Sequence, residues 1–439
     1  MFKKADILFF YTETPLHAGS GTSVSVIDLP IQRETYTNYP LIQASGVKGS
    51  VRDLVEHLQR IPQLKRQLGK IETQLSELAK NLTAEEQENK TRLEQEKTRL
   101  QNDLETAKRP VEIVFGPETD RASEHGGALS FTDARILLFP VRSLKGVFAW
   151  ITCPTVLERF KRDLSRIELV SGNSEAVKVP EKEKLSSSWD VPSEDKAFIT
   201  NDCIAKTQDG GVILEDFAFQ ADMTRSEDVQ NLGMWLANHV FPQAPAGATN
   251  PVPDPYRFWR DRLPKALVIV HDDVFRDFVE FSTEVITRIA IEETGTVKEG
   301  ALWNEEHLPS DALLYSVVLA TDPKLDGGAT GLTEAAHVIQ RLAEWIHQSG
   351  GVMQLGGDET VGRGIVRAQL LLSAAAPANQ QTQASPSMPT DPEAAPMASE
   401  DEPNQSKEDQ HAHSSNPAAE AGRGSVQLRQ KGQSGSVKR

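Results

Sequence analysis

The apolar positions of the chain follow two spacings, one typical of strands and one typical of helices. Short apolar runs predict strands at Ala5–Thr12, Ala134–Pro140, Val147–Thr152, Gly211–Phe219, Ala266–Val270, Glu284–Ile291, Leu313–Thr321 and Ile365–Leu372. Apolar residues three and four apart predict helices from about Val47 to Arg60, from Pro154 onward, at Asp272–Phe281 and at Leu332–Gln348. This order fits an α+β sheet of the ferredoxin-like type. A sheet of that kind with one open face is a common platform for RNA.

A different pattern interrupts the globular one between residues 61 and 109. The apolar positions there recur three and four apart between polar residues, at Leu64, Leu68, Ile71, Leu75, Leu78 and Leu82. This is the seam of a coiled coil. A capping box over Thr83–Glu86 begins a second helix, which we expect to end before Pro110. The short turn predicts an antiparallel hairpin, either a partner-docking element or a solvated spacer.

The end of the chain has the composition of a disordered tail. From residue 374 onward large apolar residues are almost absent, so burial cannot offset the entropy of ordering. We therefore predict four parts in chain order: a core segment 1–60, the inserted coiled-coil hairpin 61–109, a second core segment 110–373 and a disordered tail 374–439.

Charge and cysteine content narrow the functional classes. The net charge of −16 argues against binding nucleic acid through overall charge, although a local basic groove remains compatible with it. Cys153 and Cys203 form no C-x-x-C motif and are expected to be reduced, buried thiols. No apolar run approaches the roughly 18 residues that span a bilayer, and no signal peptide is recognisable. We expect a cytoplasmic protein without a membrane partner.

The stretch Tyr11–Ser50 carries polar, reactive groups on chain too broken for one regular element. Such a loop favours binding or chemistry, although an ordinary crossover loop is the alternative. Asp28 has no second acid within four residues, which excludes a local carboxylate pair. A single carboxylate can still serve RNA cleavage, in which the substrate's 2′-hydroxyl is the nucleophile and the protein supplies a base. His17 could assist; a capping role for Asp28 is the other interpretation.

Three glycine-containing stretches could hold RNA phosphates. A-S-G-V-K-G-S, Ala44–Ser50, lacks the spacing of a nucleotide-binding loop, but a glycine turn at a helix start suits a backbone phosphate. Q-L-G-G-D-E-T-V-G-R-G and V-R-S-L-K-G have similar composition. The predicted RNA-binding residues are Arg33, Ser45, Gly46, Lys48, Gly49, Arg142, Lys145, Gly356, Gly357, Gly362, Arg363 and Gly364. No His/Cys cluster has zinc-ligand spacing, and no Ser-His-Asp order can be defended.

Several strings together resemble one known family. They are T-P-L-H-A-G-S-G, S-V-I-D-L-P-I-Q-R-E, Y-P-L-I-Q-A-S-G-V-K-G-S-V-R, L-L-F-P-V-R-S-L-K-G-V-F-A-W-I-T-C-P, T-G-T-V-K-E-G-A-L-W-N-E-E-H-L-P and Q-L-G-G-D-E-T-V-G-R-G. The chain resembles the RAMP superfamily and, within it, the Cas7-like backbone subunit, fourth by the usual naming, of type III-B (Cmr) CRISPR effector complexes. The match covers roughly residues 1–53 and 110–373. The insertion and the tail depart from the family pattern.

The resemblance implies a ferredoxin-like, RRM-like RAMP core with a thumb β-hairpin, placed at about 190–225. It implies that copies stack along a CRISPR RNA guide, beside other Cmr-type subunits, in antiviral defence. Complementary target RNA would be cut at regular intervals, leaving a cyclic phosphate. A divalent metal ion, Mg or Mn, is usually required, and its ligands are not assigned. The family's catalytic aspartate falls on Asp28, its histidine on His17 and its guide-contacting lysine on Lys48.

Two other functions remain open. In the first, the chain is a structural guide-binding subunit in which Asp28 is inert and another component cuts. The second is an ordinary metabolic α+β enzyme, which would leave the glycine turns and the repeated K-G loops unexplained.

Overall fold

The computed structural model describes residues 1–22, 26–78, 83–121, 123–171, 189, 193–242 and 253–374. The predicted disordered tail lies outside these residues, apart from position 374. The start of the predicted thumb, at 190–192, and the middle of the Asp28 loop, at 23–25, also lie outside them. No helix in the described part of the chain is long and apolar enough to cross a membrane.

The described strands form one large mixed sheet and one separate hairpin. They are β1 (Lys4–Thr12), β2 (Leu41–Ile42), β3 (Leu129–Phe131), β4 (Ala134–Arg142), β5 (Phe148–Thr152), β6 (Lys196–Ile199), β7 (Gly211–Leu214), β8 (Phe217–Asp222), β9 (Leu267–Ile269), β10 (Glu284–Ile291), β11 (Val297–His307), β12 (Leu313–Ala320), β13 (Val352–Gln354) and β14 (Ile365–Leu370). The large sheet has the order β13-β14-β1-β12-β4-β5-β9-β6-β8-β7, with β2 beside β4 and β3 beside β12. Strands β10 and β11 form a separate two-stranded sheet.

The helices lie between these strands in the chain. They are α1 (Ala44–Leu58), α2 (Ile61–Glu77), α3 (Ala84–Phe115), α4 (Pro154–Ser171), α5 (Ser226–Val240), α6 (Arg257–Ala266), α7 (Asp272–Phe281), α8 (Ala335–Gln348) and α9 (Leu371–Ala374). The α+β class and most of the predicted strands are therefore confirmed. The burial expected for Cys153 and Cys203 is confirmed as well.

The centre of the large sheet is covered on both faces. Strand β1 pairs with β12 and β14, and both of its alternating sets of side chains are buried. On one face Phe9 contacts Phe160 of α4 and Trp235 of α5, with ring centroids 6.1 and 6.5 Å apart. An open face for RNA is therefore absent from this central strand. The candidate binding groups lie instead in the connections between strands.

Helix α3 continues further than its proline predicts. The capping box is confirmed, because the Thr83 hydroxyl accepts the N–H of Glu86 and the Glu86 carboxylate accepts that of Thr83. The expected end before Pro110 is wrong, since the helix runs through this residue to Phe115. Burial of most of the last turn against the core outweighs the lost backbone hydrogen bond.

Helices α2 and α3 run antiparallel to each other. Glu72 of α2 pairs with Lys97 at 3.0 Å, whereas Lys65, earlier in the same helix, meets Glu118 beyond the end of α3 at 2.9 Å. Later residues of α2 therefore contact earlier residues of α3. Ile71 and Leu93 are buried between them.

Several elements differ from the sequence prediction. The predicted strand Gly211–Phe219 is two antiparallel strands, β7 and β8, because the chain turns at Glu215, where φ is +48°. Strand β11 and helices α5 and α6 were not predicted. Residues 193–225 belong largely to the end of the large sheet, so the hairpin that stands apart from the sheet is β10–β11 and not the predicted thumb segment.

Asp6 gives a testable dependence of stability on pH. Its buried carboxylate accepts the N–H groups of Ile7 and Leu372 at 2.7 and 3.2 Å, and burial nevertheless raises its pKa to about 7. The folded state therefore holds a proton that the unfolded chain has lost. Stability present below about pH 4 should decline as the pH rises through 7.

Replacing Asp6 by Asn should remove this decline, which is worth on the order of a few kcal/mol. Urea unfolding of both proteins at pH 4.5, 6 and 8 measures it. The exposed Asp53 on α1, replaced by Asn, serves as the control. A wild-type free energy of unfolding that falls no more than that of Asp6→Asn over this range contradicts the assignment.

Candidate functional site

The loop that carries Asp28 runs beside strand β11. The N–H of Leu29 donates to the Asn304 carbonyl and the N–H of Glu306 donates to the Leu29 carbonyl, both at 3.0 Å. Nearby, Gly19 pairs with Ile31 as an isolated bridge. The described part of the loop is therefore held against β11 by backbone hydrogen bonds and is not an unattached crossover.

Asp28 presents its carboxylate to solvent from this loop. Its Oδ2 atom accepts the backbone N–H of Asn304 at 2.8 Å, and the residue is exposed. Within the described residues its Oδ1 atom has no hydrogen-bond donor. One oxygen is thus fixed in place while the other faces the surface, an arrangement suited to an oriented base.

His17 is held in one tautomer beside the same strand. Its Nδ1 atom donates to the Glu306 carbonyl at 2.6 Å, because a carbonyl can only accept. The Nε2 atom faces Oε1 of Glu305 at 3.8 Å, and in the neutral ring it is the nitrogen that carries the lone pair. A Cβ at Gly19 would lie only 2.7 Å from Nε2, so a larger residue there would displace this ring.

Four side chains gather next to His17. Arg288 of β10 donates from Nε to Glu305 and from Nη2 to Asp358, each at 2.5 Å. His307 lies on the same face of β11 as Glu305, with Nε2 3.7 Å from Oδ2 of Asp358. Ligand atoms of Glu305, His307 and Asp358 all lie within 4.8 Å of one another.

The electrostatics of this cluster favour uncharged imidazole. Burial, followed by the charges of His17 and Arg363, lowers the pKa of His307, against the opposing charge of Asp358. Burial and the neighbouring Asp358 carboxylate raise the pKa of Glu305, against the charge of Arg288. These environments favour the neutral form of His307 and the protonated form of Glu305.

The glycine turn after β13 packs against the His17 segment. The N–H of Gly357 donates to the carbonyl of His17 and the N–H of Gly364 donates to that of Pro15, both at 2.9 Å. Gly356 has φ of +75°, and a Cβ there would lie 2.3 Å from the His17 carbonyl oxygen. Gly356 and Gly364 thus allow close approach of the chain's own backbone, and this turn helps to place His17. Phosphate contact by Gly356, Gly357 and Gly364 stays a prediction.

The end of the same turn is more open. A Cβ added at Gly362 would meet no atom within 4 Å, and the φ of this residue is +75°. Arg363 is half-buried and has no ion pair within 4.0 Å among the described residues. These two predicted RNA-binding residues remain accessible for that role.

Arg33 has a structural role inside the fold. Its guanidinium donates to Oε1 of Glu306 at 2.5 Å, to the carbonyl of Asn38 at 2.8 Å and to that of Val279 at 2.9 Å. The remaining Glu306 oxygen accepts the N–H of Ile31 at 2.9 Å. RNA binding by Arg33 stays a prediction, although these partners engage three of its five N–H donors.

The segment around Lys48 is helical and not a glycine turn. Helix α1 begins at Ala44, so Ser45, Gly46, Lys48 and Gly49 all lie in its first two turns. The N–H groups of Ser45 and Gly46 have no acceptor within the helix, and Lys48 is half-buried. Burial and the charge of Arg52 lower the pKa of Lys48. The start of α1 can thus still bind an anion through free N–H groups and a nearby lysine, but on a helical backbone and not on the predicted glycine turn.

Gln32 connects this helix start to the His17 segment. Its side-chain oxygen accepts the N–H of Gln43, just before α1, at 2.8 Å. Its amide nitrogen donates to the carbonyl of Gly19 at 3.0 Å. The predicted Lys48 and His17 regions are therefore neighbours.

The V-R-S-L-K-G connection between β4 and β5 is not joined to the His17 and Asp28 region in the described part of the chain. Arg142 pairs with Glu215 of the β7–β8 turn at 2.8 Å, and Lys145 is exposed. Within the described ranges, no hydrogen bond or ion pair joins either residue to His17 or Asp28.

Sequence reasoning missed Arg288, Glu305, His307 and Asp358. The available signal was the E-x-H spacing at 305 and 307, which places two ligand-type side chains on one face of a strand. Without a predicted strand at β11, this spacing had no structural meaning.

Comparison with known proteins agrees with the motifs. The RAMP superfamily model matches residues 9–367. A curated relative, the CRISPR system Cmr endoribonuclease Cmr4 of Pyrococcus furiosus, is 34% identical over 371 residues, which cover 84% of this chain and 96% of the relative.

Two solved structures have a similar fold. The crystal structure of oligomeric Cmr4 from Pyrococcus furiosus has a TM-score of 0.50 at 26% identity, covering 84% of this chain and 98% of that one. A chain of the type III-B Cmr-beta complex bound to cognate target RNA has a TM-score of 0.53 at 20% identity, covering 85% of this chain and 99% of that one. The family resemblance of the sequence motifs is confirmed: the chain belongs to the RAMP superfamily.

Proposed function

We propose that the chain is a guide-RNA-binding backbone subunit of a type III-B effector complex and the endoribonuclease that cuts the target RNA. The relative that is 34% identical is named as an endoribonuclease, which supports the activity. The observation that carries the proposal is the Asp28 carboxylate, with one oxygen fixed by Asn304 and the other facing solvent. Other copies of the chain, other Cmr-type subunits, the guide and complementary RNA are its proposed partners.

The proposed reaction uses a nucleophile that the substrate already contains. The 2′-hydroxyl oxygen of the target attacks the adjacent phosphorus, and Asp28 takes the hydroxyl proton directly or through a water. The bond from phosphorus to the 5′-oxygen breaks, leaving a cyclic phosphate and, after protonation, a 5′-hydroxyl. His17 acts in positioning, since its ring is fixed beside the Asp28 loop. A divalent metal ion, Mg or Mn, when bound, would offset phosphate charge.

The hairpin β10–β11 is the proposed thumb. Its exposed residues include an apolar set, Val285, Ile289, Ile291, Val297 and Leu302. Ile289 lies opposite Leu302 and Ile291 opposite Val297, so the apolar pairs run along the hairpin. Apolar side chains inserted between bases unstack them. This hairpin also supplies Asn304, the partner of Asp28, and would therefore place a displaced nucleotide near the base.

The helix pair α2–α3 is proposed as the coiled-coil hairpin inserted into the RAMP core. The apolar seam of its first helix and the ion pair of Glu72 with Lys97 support this. Because α3 extends to Phe115 with a buried last turn, we place the boundary between insertion and core within this helix.

The test is a cleavage assay with the assembled complex, a defined guide and end-labelled complementary RNA. We expect products at regular intervals with cyclic phosphate ends, and none without the guide. Tight binding of the target without any cutting would instead support the structural subunit with an inert Asp28.

Lys48 provides a prediction for guide binding. Lys48→Glu reverses a charge beside the unpaired N–H groups of α1, so affinity for the guide should fall. The slope of log affinity against log salt should also fall by about 1 for one lost phosphate contact. Filter binding at several salt concentrations measures both. Lys90→Glu on α3, with the same charge change, should have little effect; equal affinities for Lys48→Glu and wild type would contradict anion binding at the start of α1.

A further inference from the structure

His307 is a buried polar side chain without a hydrogen bond. It is 0% exposed, and within the described residues neither Nδ1 nor Nε2 has a hydrogen-bond partner. An unpaired buried polar group costs stability, so a retained one indicates a missing partner. Its Nε2 atom is directed at Asp358, 3.7 Å away.

The groups around it are metal-ligand types in a compact arrangement. The ligand atoms of Glu305, His307 and Asp358 lie within 4.8 Å of one another. His17 adds a second imidazole, whose Nε2 atom is 3.8 Å from Glu305. Its Nδ1 atom donates to a backbone carbonyl at 2.6 Å, which is the outer contact that usually orients a metal-binding histidine.

We propose that Glu305, His307 and Asp358, with His17 beside them, form a binding site for one transition-metal cation. An imidazole nitrogen together with two carboxylate oxygens suits Mn²⁺, Co²⁺ or Zn²⁺, whereas Mg²⁺ and Ca²⁺ favour oxygen ligands alone. Because metal binding is measured on the chain without RNA, this inference does not depend on the proposed cleavage activity.

Arg288 orients the two carboxylates of the site. It contacts Oε2 of Glu305 and Oδ2 of Asp358, each at 2.5 Å. Each carboxylate therefore keeps a second oxygen for a cation, and the guanidinium balances part of their charge. In such sites the ligating carboxylates are usually hydrogen-bonded by residues of an outer layer, as they are by Arg288 here.

The site joins three distant parts of the chain. His17 precedes the Asp28 loop, Glu305 and His307 end strand β11, and Asp358 lies in the glycine turn. A bound cation would link these segments next to the Asp28 loop and stabilise the folded chain by mass action.

A second group of ligand-type residues provides a matched control. Glu194, His271 and Asp273 also lie close together, but Glu194 and Asp273 are exposed. In this group Nδ1 of His271 accepts the N–H of Asp273 at 3.1 Å, so that imidazole has a partner. We expect no specific cation there.

The experiment titrates the chelator-treated full-length chain with Co²⁺, followed by visible absorption, and with Mn²⁺, followed by electron paramagnetic resonance. We expect one tightly bound cation per chain. His307→Gln and Asp358→Asn should each weaken binding by more than the roughly 10- to 100-fold that loss of an outer partner costs. His271→Gln should bind like wild type.

Thermal unfolding with and without Mn²⁺ provides a second measurement. The cation should raise the Tm of wild type and of His271→Gln but not that of Asp358→Asn. Asp358→Asn is used as the site variant if His307→Gln does not fold. No binding of Co²⁺ or Mn²⁺ to wild type would overturn the proposal. So would unchanged binding by both His307→Gln and Asp358→Asn, or by Asp358→Asn alone where His307→Gln does not fold.

Discussion

Replacing Asp28 by Asn should lower the single-turnover rate of target cleavage by about 10²- to 10⁴-fold, the range that a general base contributes. The amide oxygen of asparagine can still accept the N–H of Asn304 at 2.8 Å, so the loop should keep its place beside β11. Only the basic oxygen facing solvent is lost. Target affinity, measured separately with the same complex, should therefore be unchanged.

The matched control is Asp53→Asn. Asp53 is an exposed carboxylate on α1, with Nδ1 of His57 3.4 Å from its Oδ2 atom. This variant should cut at the wild-type rate. If Asp28→Asn also cuts at that rate, Asp28 is not the base; if it loses target binding, Asp28 has a structural role instead.

Replacing Arg33 by Ala should destabilise the fold by about 3–5 kcal/mol, the cost of leaving a buried partner charge uncompensated. The Glu306 side chain is 2% exposed and would lose its guanidinium partner. The carbonyls of Asn38 and Val279 would lose their donors as well. Urea unfolding, with the midpoint and the slope both measured, tests this.

Arg142→Ala is the comparison for this variant. Arg142 is 69% exposed beside Glu215, and pairs of this kind contribute about 0–1 kcal/mol. Its stability should stay close to that of wild type. If Arg33→Ala keeps wild-type stability and weakens RNA binding, the original assignment of Arg33 to RNA is right and its structural role is wrong.

The sequence predicted the parts of the fold whose local pattern agrees with their tertiary environment. Strands β1 and β12 are long apolar runs and are buried in the sheet. The start of α3 follows from a capping box that requires only neighbouring residues. In such elements propensity and burial favour the same structure.

Strand β11 was missed because its last residues are charged. Glu305 and Glu306 would ordinarily be solvent-exposed, yet both are buried. They are buried because Arg288 and Arg33 reach them from elements distant in the sequence. Strand propensity depends on such partners, which a linear pattern does not reveal.

The sequence revealed only some of the functional residues, because the others are brought together by contacts between distant parts of the chain. Asp28 and His17 stand out by motif, whereas the proximity of His307 to Asp358 exists only in the folded chain. Glycine is ambiguous in sequence as well. Gly356 does permit close approach of a backbone, but the backbone is that of His17, and composition cannot distinguish it from an RNA phosphate.

The most direct test of the proposed function uses a target RNA with a single 2′-deoxynucleotide at one of the regularly spaced cut sites. Because the 2′-hydroxyl is the proposed nucleophile and Asp28 the base that deprotonates it, the assembled complex should lose that one cut and keep the others at their wild-type rates. Continued cutting at the deoxy position would contradict the account.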